Sequence, residues 1–287
     1  MNYRFDLDEW LPRFPLKPRN GRFTGEIITS PCDICNNEHL RWAAYDQFDW
    51  GPAVPVDIFI MADGEPNNRH ATKIGGLPYR PARMEWPTSL DGTPMSFLAQ
   101  IDFADSTDLV GELPGDVLLV FTPDTEGCCI ETLHFEWQPL GLSDLISGNA
   151  LPKQELCHDP CYGYLCRTVS YPDARRTPEF AATKYPMCGG REIWSSHHLH
   201  QYQATQIGTA PFFIQQGDDD LPGRLLCAVS SVQPDQHEPH PWVNHPEPLM
   251  PKDQWRYDDK HLMMGDVGCI YISIDEVGNL HHAMSCY

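Results

Sequence analysis

The ten residues Thr72-Lys73-Ile74-Gly75-Gly76-Leu77-Pro78-Tyr79-Arg80-Pro81 return, weakened, as Thr205-Gln206-Ile207-Gly208-Thr209-Ala210-Pro211-Phe212-Phe213-Ile214. Thr, Ile, the first Gly and Pro recur at one offset, 205 − 72 = 133, and Tyr79 meets Phe212. The segments downstream of each also run in parallel. Phe97-Leu98-Ala99-Gln100-Ile101-Asp102 answers to Leu225-Leu226-Cys227-Ala228-Val229-Ser230, and then GDVLLVFTPDTEG answers to VGCIYISIDEVGN. Features kept in order at a near-constant offset mark two copies of one unit. A chain built this way must fold as two like halves.

The apolar stretches are short and rich in β-branched or aromatic residues, as strands are. They include Val56 to Ile60, Ser96 to Phe103, Val117 to Phe121, Leu225 to Val229 and Cys269 to Ile274. With 27 Pro and 21 Gly, few windows are long enough for a helix. Helices are expected only at Phe5 to Trp10 and within Gly141 to Gly148. The expected class is therefore α+β and β-rich, with two similar halves packed as one domain. Its expected divisions are an N-terminal extension (1–70), a first repeat (71–140), a Cys/His-rich connector (141–200) and a second repeat (201–287).

A turn as dense as Ile74 to Pro81 invites comparison with phosphate cradles. Those need GxxxxGK[ST], or GxGxxG leading from a strand into a helix. Neither pattern is present, and Pro78 and Pro81 block a helix start that could offer its amides. The second copy keeps only turn-forming and apolar positions. Architecture is the reading favoured over ligand contact.

These segments resemble a bacterial domain family of unknown function typified by YwqG. The resemblance rests on Lys73-Ile74-Gly75-Gly76-Leu77-Pro78, Trp86-Pro87, Gly92-Thr93-Pro94, Phe97 to Asp102, and the late turn Gly265-Asp266-Val267-Gly268, with Ile207 to Gln215 matching more loosely. It spans from about Ala71 to the C-terminus. It implies an α+β fold with a duplicated core and supplies no catalytic residue. Residues 1–70 and the cysteine-rich connector fall outside it.

Charge is the sharpest bulk property. Twenty Lys+Arg against 40 Asp+Glu give −20, spread along the chain. Such a field repels nucleic acid and anionic membrane and draws in cationic proteins, unless it serves solubility alone. The opening MNYRFDLDEWLPRF has no apolar signal core, so the cytoplasm is the expected compartment. Eleven cysteines in such a setting point to thiols or metal rather than disulfides.

Cys32 and Cys35 form a CxxC, half of a zinc site in which two thiolates reach one ion from a tight turn. Cys157 and Cys161 are candidates for the other half, with Cys166 and Cys188 as substitutes; redox use and buried or idle thiols are the alternatives. Histidines gather at His197, His198 and His200, and at His237, His240 and His245, beside Trp242. Asp218, Asp219 and Asp220 lack the alternation of a calcium loop; they suit a solvated turn or, with Trp242, a patch for a basic partner. GxSxG, HExxH and Walker A are absent, so no catalytic residue is assigned. Cys188 beside His197 or His198 is the one nameable thiol nucleophile, for a thiol enzyme or hydrolase. The expected function is a non-catalytic acidic binding protein, such as an immunity protein covering a basic toxin surface. A zinc or small-molecule binder is the alternative.

Overall fold

The computed structural model describes residues 51–124, 132–153, 159–170, 204–211, 213–215, 220–232 and 261–286, with the short segments 48–49, 172, 175–176, 187–188 and 191–192. Ten strands join in one antiparallel sheet. In chain order they are β1 (Val54–Asp63), β2 (Lys73–Ile74), β3 (Ser96–Asp102), β4 (Val117–Thr122), β5 (His134–Gln138), β6 (Cys161–Ser170), β7 (Gln206–Ile207), β8 (Arg224–Ser230), β9 (Cys269–Ile274) and β10 (Leu280–Ser285). Their spatial order is β10-β9-β8-β7-β1-β6-β2-β3-β4-β5. The sheet curls until its edges meet, with the rings of Phe135 on β5 and His282 on β10 at 5.8 Å. Two pairs of two-residue strands stand apart, Phe48–Asp49 with Arg175–Arg176 and Met187–Cys188 with Arg191–Glu192.

The α+β expectation is overturned. Among the described residues the fold is nearly all sheet, 41% strand and 4% helix, and barrel-like. The one α-helix among the described residues is the single turn α1 (Thr107–Val110). The stretch 141–148, expected to be helical, bonds across the chain instead. Leu142 N donates to the Tyr79 hydroxyl at 2.7 Å, while Ile146 N donates to Arg80 O and Ala82 N to Asp144 O, both at 2.9 Å. Those partners replace the i−4 carbonyls a helix would use. The helix expected at residues 5–10 lies outside the described residues. Among those described, no helix is long and apolar enough to cross a membrane.

The strands β2–β5 and β7–β10 follow one plan. Lys73 pairs with Gln100 and Ile74 with Ala99; Gln206 pairs with Ala228 and Ile207 with Cys227. Both inner strands bulge at the same step, between Phe97 and Ala99 and between Leu225 and Cys227. Each bulge frees a carbonyl for its corner: Gly75 N donates to Leu98 O and Gly208 N to Leu226 O, both at 2.9 Å. Thr72 Oγ1 accepts from Asp102 N at 2.9 Å, and Thr205 Oγ1 from Ser230 N at 3.1 Å. The recurring Thr and Gly of the sequence are thus fasteners between corner and sheet.

The long strands are exchanged between the two sets. β1 precedes β2 in the chain yet pairs with β7, and β6 pairs with β2. β1 and β6 pair with each other from Val54–Ser170 to Asp63–Cys161. Phe59 N donates to Thr205 O and Gly163 N to Thr72 O, both at 2.9 Å. A local two-fold between Ile60 and Tyr164 relates these bonds.

Inside the curl, Ile74, Leu98, Ile101, Leu118 and Val120 share one core with Ile207, Val229, Ile270 and Ile272. Outside, Tyr79 and Met95 cover Phe97, Leu119 and Phe121; Phe213 and Ile214 cover Ala228 and Tyr271. One charged group is wholly buried on β1. Asp57 is 0% exposed and accepts from Arg167 Nε and Nη2 at 2.5 and 3.0 Å and from Ser106 Oγ at 2.7 Å. Arg167 also grips Asp108 on α1 at 2.7 and 3.0 Å. These hydrogen bonds, from Asp57 first, raise the Arg167 guanidinium further above its ordinary range. Arg167→Met should therefore cost about 3 kcal/mol, because it strands a buried charge, and adding Asp57→Asn should recover much of that loss in urea unfolding. A single-mutant loss below about 1 kcal/mol would show that the pair does not fasten α1.

Candidate functional site

A dense polar cluster surrounds the first corner. Its form begins with two glycines in the left-handed region, Gly75 at φ 67° and Gly76 at φ 73°. They swing the chain around the Glu65 carboxylate, which accepts Leu77 N at 2.5 Å and Lys73 Nζ at 2.9 Å. A Cβ on Gly76 would fall 1.8 Å from Glu65 Oε1. The anion held by this tight turn is the chain's own side chain. Lys73 is fully buried, and its ammonium also donates to Leu77 O. Burial pulls its pKa down to about 8, although Glu65 pulls it upward.

Strand alternation brings Gln100 and Asp102 of β3 to the same outer face as Lys73. The Gln100 amide accepts from Tyr79 N and donates to Arg69 O and Ala71 O, each at 2.8 Å. Asp102 lies 2.6 Å from His70 Nδ1 and accepts Ala104 N at 3.0 Å. A carboxylate only accepts, so the proton of this bond sits on Nδ1. His70 is 23% exposed and Asp102 1%. Arg80, 1% exposed, bonds both oxygens of Glu136 at 2.7 and 3.0 Å. It also donates to Met84 O at 2.9 Å and to Glu85 O, with its guanidinium carbon 5.4 Å from the Trp86 ring centre.

Chemically, then, the corner binds itself. Lys73, Arg80, Gln100 and Asp102 all have partners within the chain, and the part-exposed polar groups at its rim are the His70 ring and the Glu65 carboxylate. The sequence reading missed Glu65, His70, Arg80 and Glu136. A signal was present for Gln100 and Asp102, two polar residues at a period of two in an apolar strand.

Residues 72–138 match the model of a family described as Domain of unknown function (DUF1963). That span runs from the corner's threonine fastener to the last residue of β5. It covers β2–β5 and leaves out β1, β6 and the strands of the second half. No curated protein matches the chain.

Of the residues proposed from sequence, Cys161 and Cys166 lie on β6, 0% and 1% exposed and within the core cluster. Asp220 is exposed. Cys188 falls on a two-residue strand whose side chains are not described. Cys32, Cys35, Cys157, Asp218, Asp219 and Trp242 lie outside the described residues, as do the histidine groups 197–200 and 237–245. Among the described residues no group of three or more His, Cys, Asp or Glu is placed to hold a metal. The buried thiol of Cys227 is pushed above its ordinary range by desolvation, so it is a poor nucleophile at neutral pH.

Two outcomes test the corner. Gly76→Ala should cost about 2 kcal/mol or more, since it adds a collision to left-handed strain. Glu65→Ala in the same chain should relieve the closest collision while leaving Pro160 Cβ at 2.9 Å and Lys73 without its carboxylate. The double variant should therefore lose less than the sum of the two single losses; additive effects in thermal unfolding would separate Glu65 from the turn. For Lys73, the folded value near 8 lies below the ordinary value of 10.5. Between those values the unfolded chain binds more protons, so this group's contribution to stability rises with pH. The stability of the wild type minus that of Lys73→Met should therefore increase from pH 8 to 10.5. A difference independent of pH would mean that the ammonium is not desolvated.

Proposed function

We propose that this chain is a non-catalytic acidic binding protein, built on a YwqG-like unit, whose partner is a protein with a basic surface. The observation that carries the reading is where the positive charges go. Arg69 donates to Pro78 O and Ile146 O, both at 3.1 Å. Lys73 and Arg80 are held in the corner. Arg167 clasps Asp57 and Asp108, and Arg224 donates to Val110 O and Glu112 O. Glu85, Asp91, Asp144, Asp220, Asp266 and Glu276, in contrast, are exposed. A chain of net charge −20 that engages these five cations in bonds within the chain, although Arg83 and Lys153 are exposed, and leaves these six carboxylates at the surface presents an acidic field for steering a cationic partner.

Within that class, an immunity-type role fits best, since basic nuclease-like or membrane-active toxins display the complementary charge. Asp220, next to β8, is the described member of the acidic stretch singled out in the sequence. Co-expression with a panel of basic bacterial toxin domains should protect growth against at least one. The association should weaken by about tenfold or more between 50 and 500 mM salt. Asp220→Lys should slow association more than it speeds dissociation, as rim charges do. Absence of both low-salt capture and protection across the panel would count decisively against the reading.

A further inference from the structure

Gln206 and Ser230 stand in the second half where Lys73 and Asp102 stand in the first, at offsets 206 − 73 = 133 and 230 − 102 = 128. Between them Ala228 replaces Gln100 (228 − 100 = 128). The fate of the polar groups differs completely. Lys73, Gln100 and Asp102 meet Glu65, Leu77 O, Arg69 O, Ala71 O, Tyr79 N and His70. Gln206 is 0% exposed and Ser230 1%. Neither Nε2 nor Oε1 of Gln206, nor Oγ of Ser230, has a hydrogen-bond partner among the described residues.

The two orphans share a neighbourhood. Gln206 is in register with Ala228, and Ser230 lies two residues further along β8, hence on the same face as a diagonal neighbour. On β9, Tyr271 and Cys269 are in register with Ala228 and Ser230. The Tyr271 hydroxyl accepts Ile214 N at 2.9 Å, which orients that ring at the edge of the group. A buried primary amide and hydroxyl without partners are costly, and native folds keep such groups where something meets them.

We propose that Gln206 and Ser230 form a binding site for a small neutral molecule presenting a donor and an acceptor side by side, as a lactam or cyclic imide does. Neutrality is implied by the comparison of halves. The first half carries an ammonium and a carboxylate here and answers them with Glu65 and His70. On its described strands the second half has exchanged both charges for an amide and a hydroxyl, so neither Gln206 nor Ser230 offers a charged guest a counterion. The adjacent donor and acceptor are dictated by the Gln206 amide, whose Nε2 and Oε1 demand complementary atoms at one edge. Burial at 0% and 1% admits a small molecule through local opening and excludes a protein surface.

The probes are 2-pyrrolidinone and uracil, with cyclopentanone as a control that accepts but cannot donate. Thermal unfolding of the full chain should show a saturable stabilisation by at least one probe and none by cyclopentanone. Gln206→Met and Ser230→Ala should each weaken that response at least tenfold. Ser230→Ala carries the test if Gln206→Met does not fold. No saturable response from either probe would overturn the proposal. So would a Gln206→Met variant that is more heat-stable than a wild type indifferent to the probes, the outcome for an unpartnered amide or one that meets only water.

Discussion

β1 and β6 run side by side from Val54–Ser170 to Asp63–Cys161, and each lends its other edge to the half it does not lead. This exchange is what lets the corners exist as strands. β2 and β7 have two residues each, too few to hold a strand conformation by themselves. Each is pinned between a bulged strand of its own half and a long strand from the other, with Thr72 and Thr205 bonding to both neighbours. Neither half has a complete sheet alone, so the duplication makes one cooperative unit rather than two domains. Arg224 of β8 reinforces this by reaching the carbonyls of Val110, at the end of α1, and Glu112 in the first half.

That dependence explains the composition of the corner. A two-residue strand followed by a tight reversal leaves backbone groups that no ladder can satisfy. The chain supplies side chains instead: Glu65 for Leu77 N and Gln100 for Tyr79 N. A carboxylate brought into such a turn needs a counterion, and Lys73 provides it at the cost of its own desolvation, its pKa drawn down to about 8. What resembled a phosphate loop on glycine content is a turn that binds its own chain's carboxylate.

Much of this was legible in the sequence. Strands Ser96–Asp102, Val117–Thr122, Arg224–Ser230 and Cys269–Ile274 fall where β-branched and aromatic runs place them, and the offsets of 133 and 128 between the two halves reappear in strand register. The α+β class was not sound, because 141–148 lacks strand periodicity yet gives its N–H groups to residues 79–80. Nor was the exchange visible. Val56 to Ile60 reads as a strand, but nothing in it says which strand it borders. Spacing drew attention to Cys161 and Cys166 as thiolates, whereas their burial is decided by strands remote in sequence. The ion pair joining Arg80 to Glu136 and the hydrogen bond joining His70 to Asp102 span 56 and 32 residues. Only a folded chain reveals such pairs.

Duplication also loosens constraint unequally. In a two-fold arrangement both corners must hold shape, and both do so through Thr, Gly and the bulge. The charges at the outer face are another matter. In the first half Lys73 and Asp102 are answered by Glu65 and His70, groups the corner itself brings there. In the second half the same backbone bonds persist with Gln206, Ala228 and Ser230 in place of Lys73, Gln100 and Asp102. Hence the second corner holds its turn through Thr205, Gly208 and the bulge without that polar triad. A position the fold does not need is one that can be given to a ligand, and it is in the second copy, with neutral orphans beside Tyr271, that this freedom has been used.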